Sequence, residues 1–333
     1  MELLKTLTQL CASGGREEAV HGFIKDTLKD MPIEIKTDAL GNLICHKEGS
    51  GKRLMLTANM DETGIMAKYT DNMGFVRFAR VGAVSKHDCI NRRIVFQNGT
   101  RGVISYENRE DAAAVDFDKM YIDIGANSKE EAEKKVSVGD MAVFDTPFEV
   151  LGNAVSAKAL SGRIGCYILI KLLKEIAYLK VKNDIYAVFT VQNTLGLRGA
   201  KTAPYGINPD MAISLSTSQT GDTPSSKELN VKLGGGAVIR IKDGSYIIHP
   251  FAKKFMLDCA RQSNILYQIE VSDGGTSDAG AMQFCGGGVP VGTLALPLRY
   301  KYSPCELAAI DDINENIRLV NAMCSTPIAD YIA

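Results

Sequence analysis

The side chains best equipped for chemistry in this chain are carboxylates set in compact polar clusters. Asp61 and Glu62 follow the apolar run 53–58, Asp222 lies within Gly221-Asp222-Thr223-Pro224, and Asp278 ends Gly274-Gly275-Thr276-Ser277-Asp278. Adjacent acids such as Asp61 and Glu62 can hold a hard cation. Two acids facing each other across a cleft can cleave a glycoside, and Asp61 with Asp278 is the pair the motifs offer. Other chemistries find little support in type or spacing. His21, His46, His87 and His249 have no H-x-x-x-H or H-x-E neighbour, so neither a helical zinc pair nor a Ser-His-Asp set can be argued. The eight cysteines contain no C-x-x-C pair and read as buried, reduced thiols. The glycine runs 234–236 and 286–288 lack the following G-K-[ST] of a phosphate loop.

Neutral polar residues stand beside these acids. Asn59, Ser161, Thr194 and Ser216 read as strand-end residues that satisfy one another's hydrogen bonds. They also read as convergent donors and acceptors for a small polar ligand, such as a peptide terminus or a sugar.

Positioning these groups requires an alternating α/β framework. Val20, Phe23, Ile24 and Leu28 share one face of a helix over 16–30. A strand pair is expected at 33–37 and 43–46 around a turn at 38–42. The apolar strand 53–58 delivers Asn59-Met60-Asp61-Glu62 at its carboxyl end, where open α/β sheets place ligands. From 68 to 156 short β-like runs alternate with Gly, Asn and Asp turns, interrupted by a helix near 129–135. Beyond 158, helices at 162–179, 249–262, 277–284 and 310–323 alternate with strands at 185–191, 211–215, 238–241, 266–271 and 289–296. The expected fold class is α/β, with a mixed or largely parallel sheet covered by helices. Residues 1–67 plus 157–333 are expected to form this domain, and 68–156 an inserted β-rich one. Ser277 is the expected N-cap of its helix, beside N–H groups open to an anion.

Composition narrows the partners. The chain is 45% hydrophobic and 23% charged with a net charge of −1, which gives no electrostatic case for nucleic acid or an anionic membrane. Residues 1–12 show no basic stretch leading into an apolar one, and no apolar run approaches spanning length. The expectation is a cytoplasmic protein.

Several ordered stretches resemble metallopeptidase family forty-two, the tetrahedral aminopeptidases, whose members also carry glutamyl aminopeptidase and endoglucanase labels. They are Thr57-Ala58-Asn59-Met60-Asp61-Glu62-Thr63-Gly64, Lys158-Ala159-Leu160-Ser161-Gly162-Arg163-Ile164-Gly165, Val191-Gln192-Asn193-Thr194-Leu195-Gly196-Leu197-Arg198-Gly199-Ala200, Gly221-Asp222-Thr223-Pro224 and Arg299-Tyr300-Lys301-Tyr302-Ser303-Pro304. Tyr121-Ile122-Asp123-Ile124-Gly125-Ala126 and the Gly274–Ala281 stretch add to the likeness, which runs along essentially the whole chain. The resemblance implies two divalent metals, zinc or cobalt, that polarise the scissile carbonyl and activate a bridging water, with a glutamate as general base.

The same resemblance places Asn59 where the family has its first His ligand, with Asp61 retained beside it. Ser161 stands for the bridging Asp, Asn193 for the base, Thr194 for the neighbouring Glu ligand, Ser216 for a further Asp and Tyr302 for the late His. No catalytic residue and no metal are therefore expected, and these positions become a vestigial pocket. The loss is charge-balanced, since carboxylates left without their cations would repel one another. The expectation is a pseudoenzyme with a structural, regulatory or ligand-binding role. It would form a homo-oligomer, a dimer or a dodecamer, or co-assemble with an active paralogue. The alternatives are an active metal-dependent aminopeptidase with displaced ligands from Asp61, Glu62, Asp222 and Asp278, or a glucanase.

Overall fold

In a computed structural model of the chain, residues 1–107, 115–224 and 229–332 are described. The chain opens with α1 (Glu2–Gln9), α2 (Glu18–Leu28), β1 (Glu34–Thr37), β2 (Leu43–Lys47) and β3 (Arg53–Asn59). Asp38 builds the β1–β2 turn, its Oδ1 accepting from the N–H groups of Leu40, Gly41 and Asn42. Then come β4 (Gly64–Thr70), β5 (Val76–Val81), α3 (Lys86–Cys89), β6 (Arg93–Phe96), β7 (Arg101–Tyr106), β8 (Met120–Asp123), α4 (Lys129–Glu133) and β9 (Met141–Phe144). These six strands close into a barrel with its own core, including Ile65, Phe78, Ile94, Phe96, Ile104 and Ile122. The first barrel strand begins at Gly64, ahead of Lys68.

The chain then returns through β10 (Glu149–Leu151) and β11 (Ala154–Ala157) to α5 (Leu160–Ile176), β12 (Asp184–Thr190), α6 (Arg198–Ile207) and β13 (Met211–Gln219). It ends with β14 (Ala237–Lys242), α7 (Pro250–Gln262), β15 (Tyr267–Val271), α8 (Asp278–Met282), β16 (Val291–Leu298), β17 (Glu306–Ala309) and α9 (Ile310–Ser325). The large sheet has eight strands in the order β1-β2-β12-β3-β13-β16-β14-β15, and β10-β11-β17 form a small one. Strands β12, β3, β13 and β16 are mutually parallel. Helices α5, α7 and α9 pack on one face and α6 and α8 on the other. This is the mixed, helix-covered α/β sheet expected from the sequence.

Burial explains why the central strands read as unbroken apolar runs. Leu54, Met55, Leu56 and Ala58 of β3 are all fully buried, because helices cover both faces. Each large side chain so placed stabilises the fold by roughly 1.5–3 kcal/mol. Gly165 of α5 sits against Ala58 and Leu215, so helix and sheet approach closely there. The small sheet, α1 and β4 were not evident from periodicity. β10 and β11 are very short, and β4 mixes buried and exposed residues around a bulge between Ala67 and Tyr69.

Two local expectations are corrected. Ser277 stands at the N-cap of α8, but its hydroxyl donates to Asp243 Oδ2 at 2.9 Å and meets Thr293 Oγ1 at 3.0 Å instead of capping. Not every cysteine is buried: Cys305 is exposed and Cys11 half-buried, while burial pushes the Cys166 thiol up to about 12.

Candidate functional site

The carboxyl ends of β3, β12 and β13 converge on one pocket. Strand β3 delivers Asn59, and the turn Met60-Asp61-Glu62 follows it. Strand β12 ends at Thr190, and a short 3-10 turn, Asn193–Leu195, follows. Strand β13 contributes Ser214 and Ser216, and α5 starts beside it with Ser161. The loop between β16 and β17 brings Lys301 and Tyr302, and α8 brings Asp278. Asn59, Asp61, Ser161, Asn193, Thr194, Ser216 and Tyr302 thus line a single pocket. Asp222 does not join them, because Arg299 grips its carboxylate with two bonds of 3.0 and 2.7 Å.

Every acid at the pocket has partners. Asn59 Nδ2 donates to Asp61 Oδ1 at 3.1 Å, and the Thr194 N–H and hydroxyl donate to Asp61 Oδ2 at 2.8 and 2.6 Å. The Thr190 hydroxyl donates to Asp278 Oδ2 at 2.8 Å, and Asn193 Nδ2 to Oδ1 at 2.7 Å. Burial nonetheless raises the Asp278 pKa, partly offset by these donors. Glu62 lies 3.0 Å from Lys158 and 2.9 Å from Arg163, all three side chains being buried. Arg163 also donates to the carbonyls of Leu7, Met60 and Ala12, which ties α5 to the turn after β3. Glu62 is therefore committed to that trio, which removes it as a partner of Asp61 for a loose cation.

Sequence reasoning missed several members of the site. Glu306 accepts from the Ser161 N–H at 2.8 Å and the Tyr302 N–H at 2.6 Å, and so clamps the β16–β17 loop to the start of α5. Burial pushes its carboxyl up to about 7. Lys301 donates to the Thr217 carbonyl at 2.8 Å and lies 4.8 Å from the Tyr302 ring centre, a cation–π contact. Lys301 stands next to Tyr302 in the motif, so adjacency was the available signal. Thr57, Ser214 and Thr293 stand at one level on three adjacent strands, a hydroxyl row on the sheet face. That row depends on register, which periodicity does not supply.

The backbone around the pocket is strained. Ala159, Gln192, Leu197, Tyr300 and Tyr302 have φ of 59, 54, 61, 57 and 67°, in the left-handed region that disfavours non-glycine residues by about 1 kcal/mol each. Such residues persist only where surroundings over-determine them, as they often do at functional sites. The pocket itself is small, with a cavity volume of about 30 Å³, room for water but not for a sugar ring. Among the described residues, no group of three or more His, Cys, Asp or Glu side chains is placed to hold a metal ion. No helix among them is long and apolar enough to cross a membrane.

The fold is thus a mixed, helix-covered sheet with a polar pocket at its carboxyl ends and a barrel inserted after the third strand. The family description "M42 glutamyl aminopeptidase" matches residues 41–319. A relative from Acetivibrio thermocellus that carries an aminopeptidase name is 46% identical over 97% of this chain and 98% of its own. The structure of aminopeptidase APDkam598 from Desulfurococcus kamchatkensis superposes with a TM-score of 0.93 at 35% identity, over 97% of this chain and 94% of that one. The Pyrococcus horikoshii TET1 peptidase, described as able to assemble into a tetrahedron or a large octahedral shell, gives 0.88 at 31% identity, over 97% and 98%. The chain belongs to the M42 aminopeptidase family.

Proposed function

We propose that this chain is a family member without the two-metal centre, which acts by association or by holding a small polar ligand and not by hydrolysing peptides. One observation carries the reading: Asp61 and Asp278 are answered by neutral donors, Asn59 and Thr194 for the first, Thr190 and Asn193 for the second. The oxygens of Asn59, Ser161, Asn193, Thr194, Ser216 and Tyr302 fit zinc or cobalt poorly at neutral pH, so no step is routed through a metal. The neutral donors instead stabilise the remaining carboxylates without cations.

The ability of the TET1 peptidase to assemble into a tetrahedron or a large octahedral shell supports a homo-oligomer for this chain, and co-assembly with an active paralogue in the cytoplasm is the alternative form of the proposal. A ligand larger than water would require side chains lining the pocket to move aside, given its volume of about 30 Å³.

Metal content after exposure to excess Zn²⁺ or Co²⁺ and dialysis tests the reading, together with turnover of leucine, lysine and glutamate anilides. Near-zero retained metal and no turnover are expected. Two tightly held metals per chain with turnover would overturn it. The relatives' aminopeptidase names favour the second reading, an active enzyme with displaced ligands. Against that set, Glu62 is committed to Lys158 and Arg163, and Asp222 to Arg299. If it held, restoring a single ligand would alter an existing activity. A glucanase would need Asp61 and Asp278 as its acid pair, and a null result on soluble cellulose removes that alternative.

A further inference from the structure

A second cavity, apart from the polar pocket, holds a buried acid with one oxygen to spare. The start of α2, the turn between β1 and β2 and the end of β12 enclose about 270 Å³, with Glu17, Glu18, His21, Thr37, Leu40 and Val191 in its walls. It shares no lining residue with the polar pocket. Glu17 stands at the N-cap of α2 and is only 6% exposed. Its Oε1 accepts from the Gly15 N–H at 2.9 Å and the Gln192 N–H at 2.8 Å. Both bonds fall on that oxygen, and Oε2 takes none from another described residue. Burial raises the Glu17 pKa, partly offset by the two N–H groups. A carboxylate so buried is costly unless its remaining oxygen is also answered.

The walls narrow what can answer it. Glu18 adds a second carboxylate, and no lysine or arginine is among the described residues lining the cavity. His21 supplies no compensating charge: its Nε2 lies 3.0 Å from Thr37 Oγ1, and burial, with Lys25, lowers its pKa. The cavity is therefore negative and repels anions. Among the described residues no three His, Cys, Asp or Glu side chains are placed to hold a metal ion, which leaves a cation that carries its own hydrogen-bond donors. With Oε1 already taken, a single free oxygen suits a compact ammonium and leaves a bidentate guanidinium unmatched. Leu40 and Val191 add an apolar wall on which an alkyl stem can lie.

We propose that this cavity binds a primary aliphatic ammonium group, its N–H donors on Glu17 Oε2 and its stem along Leu40 and Val191. The site reaches the polar pocket through the backbone. Gln192, with φ of 54°, is held by Glu17 Oε1 and immediately precedes Asn193. A cation on Oε2 keeps Glu17 ionised and so strengthens its bond to the Gln192 N–H.

Calorimetric titration of the full chain with n-butylamine at constant ionic strength tests this, with n-butanol as the uncharged control. n-Butylamine should bind at a single site per chain, and n-butanol at least roughly tenfold more weakly. Glu17→Gln should weaken n-butylamine by about tenfold or more, since the amide keeps an acceptor for Gly15 and Gln192 but loses the charge. Leu40→Arg, at an exposed turn position, should abolish binding by bringing a guanidinium to the negative cavity, with the circular dichroism unchanged. The Gln192 amide should exchange more slowly at saturating n-butylamine. Nα-acetyllysine amide separates the sources: binding as tight as that of n-butylamine assigns the site to a lysine side chain, and weaker binding assigns it to a free small amine. Equal affinity for n-butanol and n-butylamine, an affinity unchanged in Leu40→Arg, or a Gln192 exchange rate that ignores the amine would overturn the proposal. If Glu17→Gln fails to fold, Leu40→Arg and the n-butanol comparison decide.

Discussion

At the scale of single residues, the pocket is organised by carboxylates whose partners are neutral or buried with them. Glu306 makes this measurable. Its folded pKa is raised to about 7 from 4.5, so the folded chain keeps a proton that the unfolded chain releases between those values. Stability from this group is therefore whole below about 4.5 and is lost as pH rises through 7. Urea melts should show the wild type losing on the order of 3 kcal/mol relative to Glu306→Gln between pH 4.5 and 8. A pH-independent difference would refute the assignment. Asn193→Asp would set a second carboxylate where the amide now donates to Asp278 at 2.7 Å. We expect a loss of about 1–3 kcal/mol at pH 7 that shrinks on acidification, read by thermal melts across pH. Of the residues that line the pocket, Asn59, Ser161, Asn193, Thr194 and Tyr302 each sit inside one of the motif stretches, whereas Ser216 lies outside all of them. Glu306 and Thr190 were not legible in the sequence, because their roles come from a clamp and a register formed only when distant segments meet.

At the scale of elements, close approach between α5 and the end of β3 sets the pocket's shape. A Cβ on Gly162 would run into the carbonyl of Asp61 and press on the Asn59 amide. Gly162→Ala should destabilise the chain by about 1–3 kcal/mol. Gly22 lies within α2 with nothing close to its missing Cβ, so Gly22→Ala should stabilise by about 0.5–1 kcal/mol. Denaturant midpoints of the two variants should move in opposite directions, and a shared direction would refute the packing argument. The long helices and buried strands were readable from periodicity because burial on both faces gives continuous apolar runs. The small sheet β10-β11-β17 was not, since its strands of three or four residues carry too little pattern.

At the scale of the whole molecule, the metal question becomes thermodynamic. A metal bound to the folded chain at a hundredfold excess over its Kd would add about 2.7 kcal/mol of stability. Chelator should therefore shift the melting temperature by less than about 1 °C, whereas a loss of several degrees would reveal a resident ion.

The placement of the barrel also bears on how the chain is made. Strand β3 is synthesised early, yet its two sheet neighbours, β12 and β13, come after the whole barrel. During translation the barrel strands from Gly64 to Phe144 meet their partners first, while Leu54, Met55 and Leu56 wait without a sheet. Closing that long loop makes central pairing the slow event. Pulse-labelled hydrogen exchange during refolding should show barrel amides protected before those of β3. The interval between the two is when an apolar strand is open to the wrong partner, so yield on the ribosome or in refolding should depend on concentration more than native stability does.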